Sequence, residues 1–273
     1  MRSVMRLVDC GEFSVDDVRI RADRRAWFPP EVHTDYRLVF VRSGLFRLRV
    51  GDWDLVADPM LAYIARPGDE QQIAHRVDVT DMCTSITFSA PLLRDVVGTD
   101  GLGTTRPMVT TGRIDLLHRL LVSRARAGTD EFELHERVSQ LLYAMLDPSR
   151  QPSPPATVPS TITVRRLVDG ARELLTDDPV SLSLRDLARE LHSSPPYLSR
   201  VFHRNVGMSL TRFRNRIRVC RVLEQIEAGE QGLAKIAIEL GFADHAHMTR
   251  TVRAECGHPP AAFRRMLTSA AAS

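Results

Sequence analysis

The sequence predicts an α+β chain of two domains: a β-barrel or sandwich carrying a helical hairpin, then an all-α domain with two helix-turn-helix units. Three observations lead there. Short apolar runs separated by turn dipeptides fill the early part, amphipathic helical patterns follow, and a helix-turn-helix pattern occurs twice after a proline-rich break. The length of 273 residues allows two cores, and 43% hydrophobic with 26% charged residues is ordinary for a globular protein. No apolar run is long enough to cross a bilayer, so no membrane partner is expected. The opening MRSVMRLVDCGEF has neither a continuous apolar stretch nor a small-residue cleavage site, which points to the cytoplasm. Cys10, Cys83, Cys220 and Cys256 form no CxxC pair and read as separate reduced thiols.

Residues 1–147 form the first predicted domain. In YRLVFVRSGLFRLRVGDWDLVADPMLAYIARPGDEQQIAH (36–75), the SG, GD, DP and PGD turns separate short strands. Phe46, Leu48 and Val50 alternate with Arg47 and Arg49, the period of two of a half-buried strand. Strands of this kind suggest a small sandwich or barrel. IDLLHRLLVSRARAG (114–128) and EFELHERVSQLLYAMLD (131–147) carry apolar residues three and four apart and are joined by AGTD. They predict an antiparallel helical hairpin over 114–147, whose surplus apolar face suits a homodimer formed through this domain.

DPSRQPSPPATVPST (147–161) holds five prolines, so residues 148–161 read as an extended linker. The charge balance changes there. Residues 161–273 carry 17 Lys+Arg against 12 Asp+Glu, whereas 1–160 carry 20 against 22. An anionic partner is therefore expected for the second domain, 162–273, alone. Lys235 is the only lysine, but arginine is preferred in both halves, so that preference alone marks no phosphate-binding surface.

The second domain repeats. LAREL (187–191) matches IAIEL (236–240) at an offset of 49, and YLSRVFHRNVG (197–207) matches HMTRTVRAECG (247–257) at an offset of 50. Each unit, 184–207 and 233–257, is a short helix, a tight turn, and a second helix ending at glycine. SLRD (183–186) is a capping-box pattern, and Ser194 before Pro195, and Asp244, are good N-caps. The stretch 209–229 reads as one long helix that fixes the separation of the units.

A turn of about 100° per residue puts Leu198 and Phe202 on one face of the first unit's second helix, with Pro196, Ser199, Arg200 and His203 opposite. In the second unit it buries Met248 and Val252 and exposes Ala246, Thr249, Arg250 and Arg253. Short residues beside an arginine allow close approach to a major groove and bidentate contact with guanine. Arg204, Arg212, Arg214, Arg216, Arg264 and Arg265 are candidates for phosphate contacts, and His245, in the first helical turn, for a base or phosphate. Double-stranded DNA at a promoter site is the expected partner.

SLRDLARELHSSPPYLSRVFHRNVGMSLTRFRNRIRVCRVLEQI and IAIELGFADHAHMTRTVRAECGHPPAAFRR resemble the two helix-turn-helix units of AraC/XylS-family transcription regulators, over about 95 residues. The resemblance implies two recognition helices entering successive major grooves on sites about 10 bp apart. It also implies an N-terminal cupin-like domain for an effector or for dimerisation, and RNA polymerase is a further candidate partner. Two departures stand out. The family usually has aromatic core residues where this chain has Met248 and Val252, which implies looser packing, and Pro195-Pro196 replaces a residue often free to contact bases.

The histidines and cysteine of DHAHMTRTVRAECGHP (244–259) first suggest zinc. His245 and His247, however, point about 160° apart on a helix, and Cys256 and His258 lie beyond, so no metal site is expected. In the first domain His33, Asp35 and His75 can be read as a degraded cupin metal triad, with Gln71 where the second cupin motif would carry histidine. That makes a cupin-type metalloenzyme with a DNA-binding domain the alternative function. The preferred expectation is no catalysis and no cofactor, but a small-molecule effector in a barrel mouth. Its candidate residues are Trp27, His33, Arg37, Trp53, Tyr63, Gln71 and His75, each of which can equally serve the core.

Overall fold

The computed structural model describes residues 1–24, 26–51, 53–98, 106–146 and 161–270. Strands come first and helices later, as the sequence predicts. The chain divides into two compact units, Met1–Pro152 with Ala261–Ser273, and Ser153–Pro260. The predicted linker lies outside the described residues up to position 160, and Thr161 then caps the next helix.

In the first unit the elements are β1 (Arg2–Asp9), β2 (Phe13–Arg21), β3 (Glu31–Val32), β4 (Tyr36–Ser43), β5 (Phe46–Val50), β6 (Trp53–Ala57), β7 (Leu61–Ala65), β8 (Glu70–His75), β9 (Thr80–Phe88), α1 (Ala90–Val97), β10 (Arg106–Val109), α2 (Gly112–Ala127) and α3 (Glu131–Leu146). They build a six-stranded sheet in the order β1-β2-β9-β4-β7-β10 and a four-stranded sheet in the order β3-β8-β5-β6, with antiparallel pairing throughout. The larger sheet is buried on both faces. Phe13, Val15, Leu38, Phe40, Ile64 and Phe88 pack under α1, α2 and α3. Val18, Val39, Val41, Leu61, Tyr63 and Cys83 face the smaller sheet across the sandwich. Double burial is why LVFV and LAYIA are unbroken apolar runs, whereas FRLRV, in the outer sheet, alternates.

The hairpin appears as expected, with Gly128 in the left-handed conformation between α2 and α3. Helix α1, capped by Ser89, is an addition that the sequence did not announce.

The second unit runs through α4 (Ile162–Asp177), α5 (Leu184–Glu190), α6 (Pro195–Val206), α7 (Leu210–Glu227), α8 (Leu233–Glu239) and α9 (His245–Cys256); α10 (Pro260–Ala270) follows. Helix α7 is the spine, burying Phe213, Ile217, Val219, Cys220, Leu223 and Ile226. Phe202 of α6 meets Phe213 edge-on, with ring centroids 5.3 Å apart. Gly170 lets α4 approach the end of α5, because a Cβ there would stand 2.6 Å from Leu191 Cδ2.

Candidate functional site

The two second helices, α6 and α9, are both twelve residues long and begin fifty residues apart. Each ends on a left-handed glycine whose N–H returns to a carbonyl four residues back: Gly207 to His203, and Gly257 to Arg253. Helix α5 carries the predicted capping box, Ser183 with Asp186. The amphipathic pattern resolves as the sequence indicates. Leu198, Phe202, Met248 and Val252 are fully buried. On the opposite faces Pro196, Arg200, His203, Arg204, His245, Ala246, Arg250 and Arg253 are exposed, and Ser199 and Thr249 half-buried.

The guanidinium groups of Arg200, Arg204, Arg250 and Arg253 have no ion-pair or hydrogen-bond partner among the described residues. An unpaired arginine on a face of small side chains keeps its donors available for an anion or a base edge. His245 Nε2 lies 3.4 Å from Thr249 Oγ1. His247 turns the other way: its ring packs edge-on against Phe242 at 5.5 Å, and Nδ1 accepts from the Ala243 N–H. The histidines are dispersed, as the helical spacing requires.

Two of the flanking arginines need correcting. Arg214 donates to Leu182 O at 2.6 Å, and Arg216 is buried with Nη1 3.7 Å from Glu255. Arg214 belongs to a row on α7 with Arg218 and Arg221, which donate to Pro179 O and Asp177 O, both at 2.9 Å. The physical reason is local. The chain leaving α4 has main-chain carbonyls that no helix satisfies, and arginines spaced along α7 reach them. Tyr197, 44% exposed in the first turn of α6, was missed, although it lies three residues before Arg200 on the same face.

A cavity of about 210 Å³ opens inside the sandwich of the first unit. Four of the seven expected effector residues line it: Arg37, Tyr63, Gln71 and His75. Three do not. Trp27 is stacked beneath Arg49, whose guanidinium carbon is 4.0 Å from the ring centre, Trp53 packs on the core of the smaller sheet, and His33 is buried outside the cavity lining. Phe28, Phe46, Cys83 and Ser85 also line it, though none was among the expected effector residues.

His75 is held rigidly. Its Nδ1 is 2.5 Å from Asp81 Oδ2, while Asp81 Oδ1 accepts the Leu45 N–H at 2.7 Å. Gly44, at φ 88°, makes room for this carboxylate, since a Cβ there would lie 2.0 Å from Asp81 Oδ1. The SG turn in the sequence thus also serves a close approach. Tyr63 donates to Gln71 Oε1 at 3.2 Å. Burial pushes the Cys83 thiol up to about 12 and raises the Tyr63 phenol as well, so both stay neutral. Burial, with Arg37 nearby, lowers His33 below the usual imidazole range. The metal triad is not assembled: Asp35 is exposed and accepts from Thr34 Oγ1, while His75 spends Nδ1 on Asp81. Among the described residues no three His, Cys, Asp or Glu side chains cluster as metal ligands, and no helix is long and apolar enough to cross a membrane.

Comparison with known proteins agrees with the helical geometry. Residues 187–266 match the family model described as a helix-turn-helix domain. The uncharacterised helix-turn-helix-type transcriptional regulator YfiF of Bacillus subtilis (strain 168) is 32% identical over 83 residues. That match spans 30% of this chain and 26% of YfiF, so the chain covers about a quarter of the relative's length. Among solved structures, ToxT from Vibrio cholerae O395 is similar at 15% identity and a TM-score of 0.40, covering 94% of this chain and 98% of ToxT. The C-terminal domain of AraT, a response regulator from Geobacillus stearothermophilus, is 26% identical with a TM-score of 0.34, covering 38% and 85%. Residues 187–266 are therefore a helix-turn-helix domain. It holds two units separated by a long helix.

Proposed function

We propose that the protein is a sequence-specific, DNA-binding transcription regulator whose N-terminal domain answers to a small molecule. The observation that carries this reading is the repeated surface of α6 and α9. Twice, fifty residues apart, a helix of small and polar side chains presents an exposed arginine that nothing among the described residues neutralises. Ser199, Arg200 and His203 in α6, and Thr249, Arg250 and Arg253 in α9, read base edges in sites about 10 bp apart. Pro196 and Ala246 permit close approach, while Arg204 and His245 contact backbone or bases. The division of labour runs between residues 1–147 and 162–273, with 148–161 as the linker.

The effector occupies the sandwich cavity, touching Arg37, Tyr63, Gln71 and His75, and biases how the second domain meets DNA. The protein works in the cytoplasm without catalytic chemistry of its own, as a homodimer through its N-terminal domain, and acts on RNA polymerase at the promoter. The dispersal of His33, Asp35 and His75 speaks against the metalloenzyme alternative.

The test is binding of the full chain to the DNA upstream of its own gene, compared with a scrambled duplex. Arg250→Ala is expected to weaken the specific complex by about 1–3 kcal/mol and to leave scrambled DNA nearly unaffected. An equal loss on both would make Arg250 a phosphate anchor and sink its assignment to base readout.

A further inference from the structure

The N-terminal cavity carries a chemical signature that narrows its ligand, given the effector reading above. Its wall is mainly apolar, from Val18, Ile20, Phe28, Val39, Phe46 and Ile73. Against that wall stand three polar atoms that are buried and have no hydrogen-bond partner among the described residues: Arg37 Nε, His75 Nε2 and Ser85 Oγ. His75 is the most constrained, with a fully buried side chain whose orientation Asp81 fixes.

The charges decide what these atoms await. Arg2 on the lining is paired with Glu31 at 2.6 Å, and Asp16 is paired with Arg6. Tyr63 and Cys83 are neutral, and Tyr63 already spends its hydrogen on Gln71. Arg37 alone among the charged lining residues has no ion pair within the described residues. A half-buried guanidinium beside an apolar wall is costly unless an acceptor of opposite charge is supplied. We infer that the cavity takes a small carboxylic acid with an apolar body, its carboxylate on Arg37 and its body against Val39, Phe46 and Ile73, with His75 Nε2 and Ser85 Oγ as secondary hydrogen-bonding groups. At about 210 Å³ the space suits an acid with a single ring or a short chain.

Isothermal titration of the full chain with benzoate, phenylacetate and hexanoate, against benzamide, phenylacetamide and hexanamide, separates charge from shape without any mutation. The acids are expected to bind at least about tenfold more tightly than their amides. Arg37→Met keeps the apolar stem, and should weaken the acids by about ten- to a hundredfold while leaving the amides unchanged. Equal binding of acids and amides, no binding of any acid, or an unaltered acid affinity in Arg37→Met each overturns the carboxylate assignment. Val39→Phe fills the cavity, and its effect on a reporter driven by the upstream DNA isolates the broader reading. A changed reporter response with no acid binding leaves an effector site for another ligand class; an unchanged response with no acid binding removes both.

Discussion

The two helix-turn-helix units share one design and differ in how each part is secured. In the first, α5 has a complete capping box, the turn carries His192 at φ 48°, and Ser194 caps α6 without a side-chain hydrogen bond. In the second, α8 starts at Gly232 with no side-chain cap, Gly241 makes the corresponding left-handed turn, and Asp244 accepts from the His247 N–H. Phe202 of the first unit pairs with Phe213 of α7, whereas Met248 and Val252 fill the second. The second is also tied to α7 through Glu255, near Arg212 at 3.8 Å and Arg216 at 3.7 Å. A common outline is thus reached by exchanging local caps, turn residues and core volume, while the exposed faces stay matched.

The cores give the largest expected difference. Phe202→Ala should cost about 3–5 kcal/mol, and Val252→Ala about 2 kcal/mol, since far less volume leaves the second core. Hydrogen exchange along α6 and α9 in the full chain checks this, and equal loss of protection would mean that the two units unfold together. The exposed faces of α6 and α9 come next. If the units share the DNA equally, Arg200→Ala and Arg250→Ala each lose about 1–3 kcal/mol of specific binding, at base pairs about one helical turn apart. Selection from a randomised DNA pool reads both the size of each loss and the position that relaxes.

The turns are expected to respond in opposite directions. Gly241→Ala places a Cβ 2.8 Å from Val180 Cγ1 in a left-handed residue and should cost about 1–2 kcal/mol. His192→Gly removes a side chain from the same kind of conformation. It should raise stability by up to about 0.5 kcal/mol, because the relief slightly exceeds the added freedom of the unfolded chain. Thermal denaturation of the two variants beside the parent protein decides it, and a destabilised His192→Gly would show that the imidazole makes a contribution beyond its backbone position.

What could be read from the sequence follows the range of the interactions. Helices α5 to α9, their caps and their exposed faces depend on residues within a few positions of one another, and the repeat at 49 and 50 residues states the buried and exposed pattern twice. Arg214 was misread because the Leu182 carbonyl that it serves lies 32 residues earlier in the chain. In the first unit, strand register decides which polar groups face inward. Arg37, Tyr63 and His75 fall on the cavity side, while Trp27 and Trp53, equally eligible by composition, are directed elsewhere. Asp81, which orients His75, lies six residues on, in the other sheet, and no local pattern announces the pair.

The caps of α6 and α9 provide the smallest difference and a direct test of how independent the units are. Asp244 places its carboxylate at the N-terminus of α9, where it accepts a main-chain N–H and meets the positive end of the helix dipole. Asp244→Ala should cost about 1 kcal/mol and loosen the first turn, which carries His245 and Ala246. Ser194 makes no such bond, and Pro195 at the first helical position already lacks an N–H and presets the backbone for α6. Ser194→Ala should therefore change stability by less than about 0.5 kcal/mol. Amide exchange at the starts of α6 and α9 measures each effect separately. Were Ser194→Ala as damaging as Asp244→Ala, its hydroxyl would have to cap α6 in solution, and the capping difference between the units would vanish. Were Asp244→Ala to weaken DNA binding at the α9 half-site beyond its loss of stability, the cap would also be presenting His245 to the DNA.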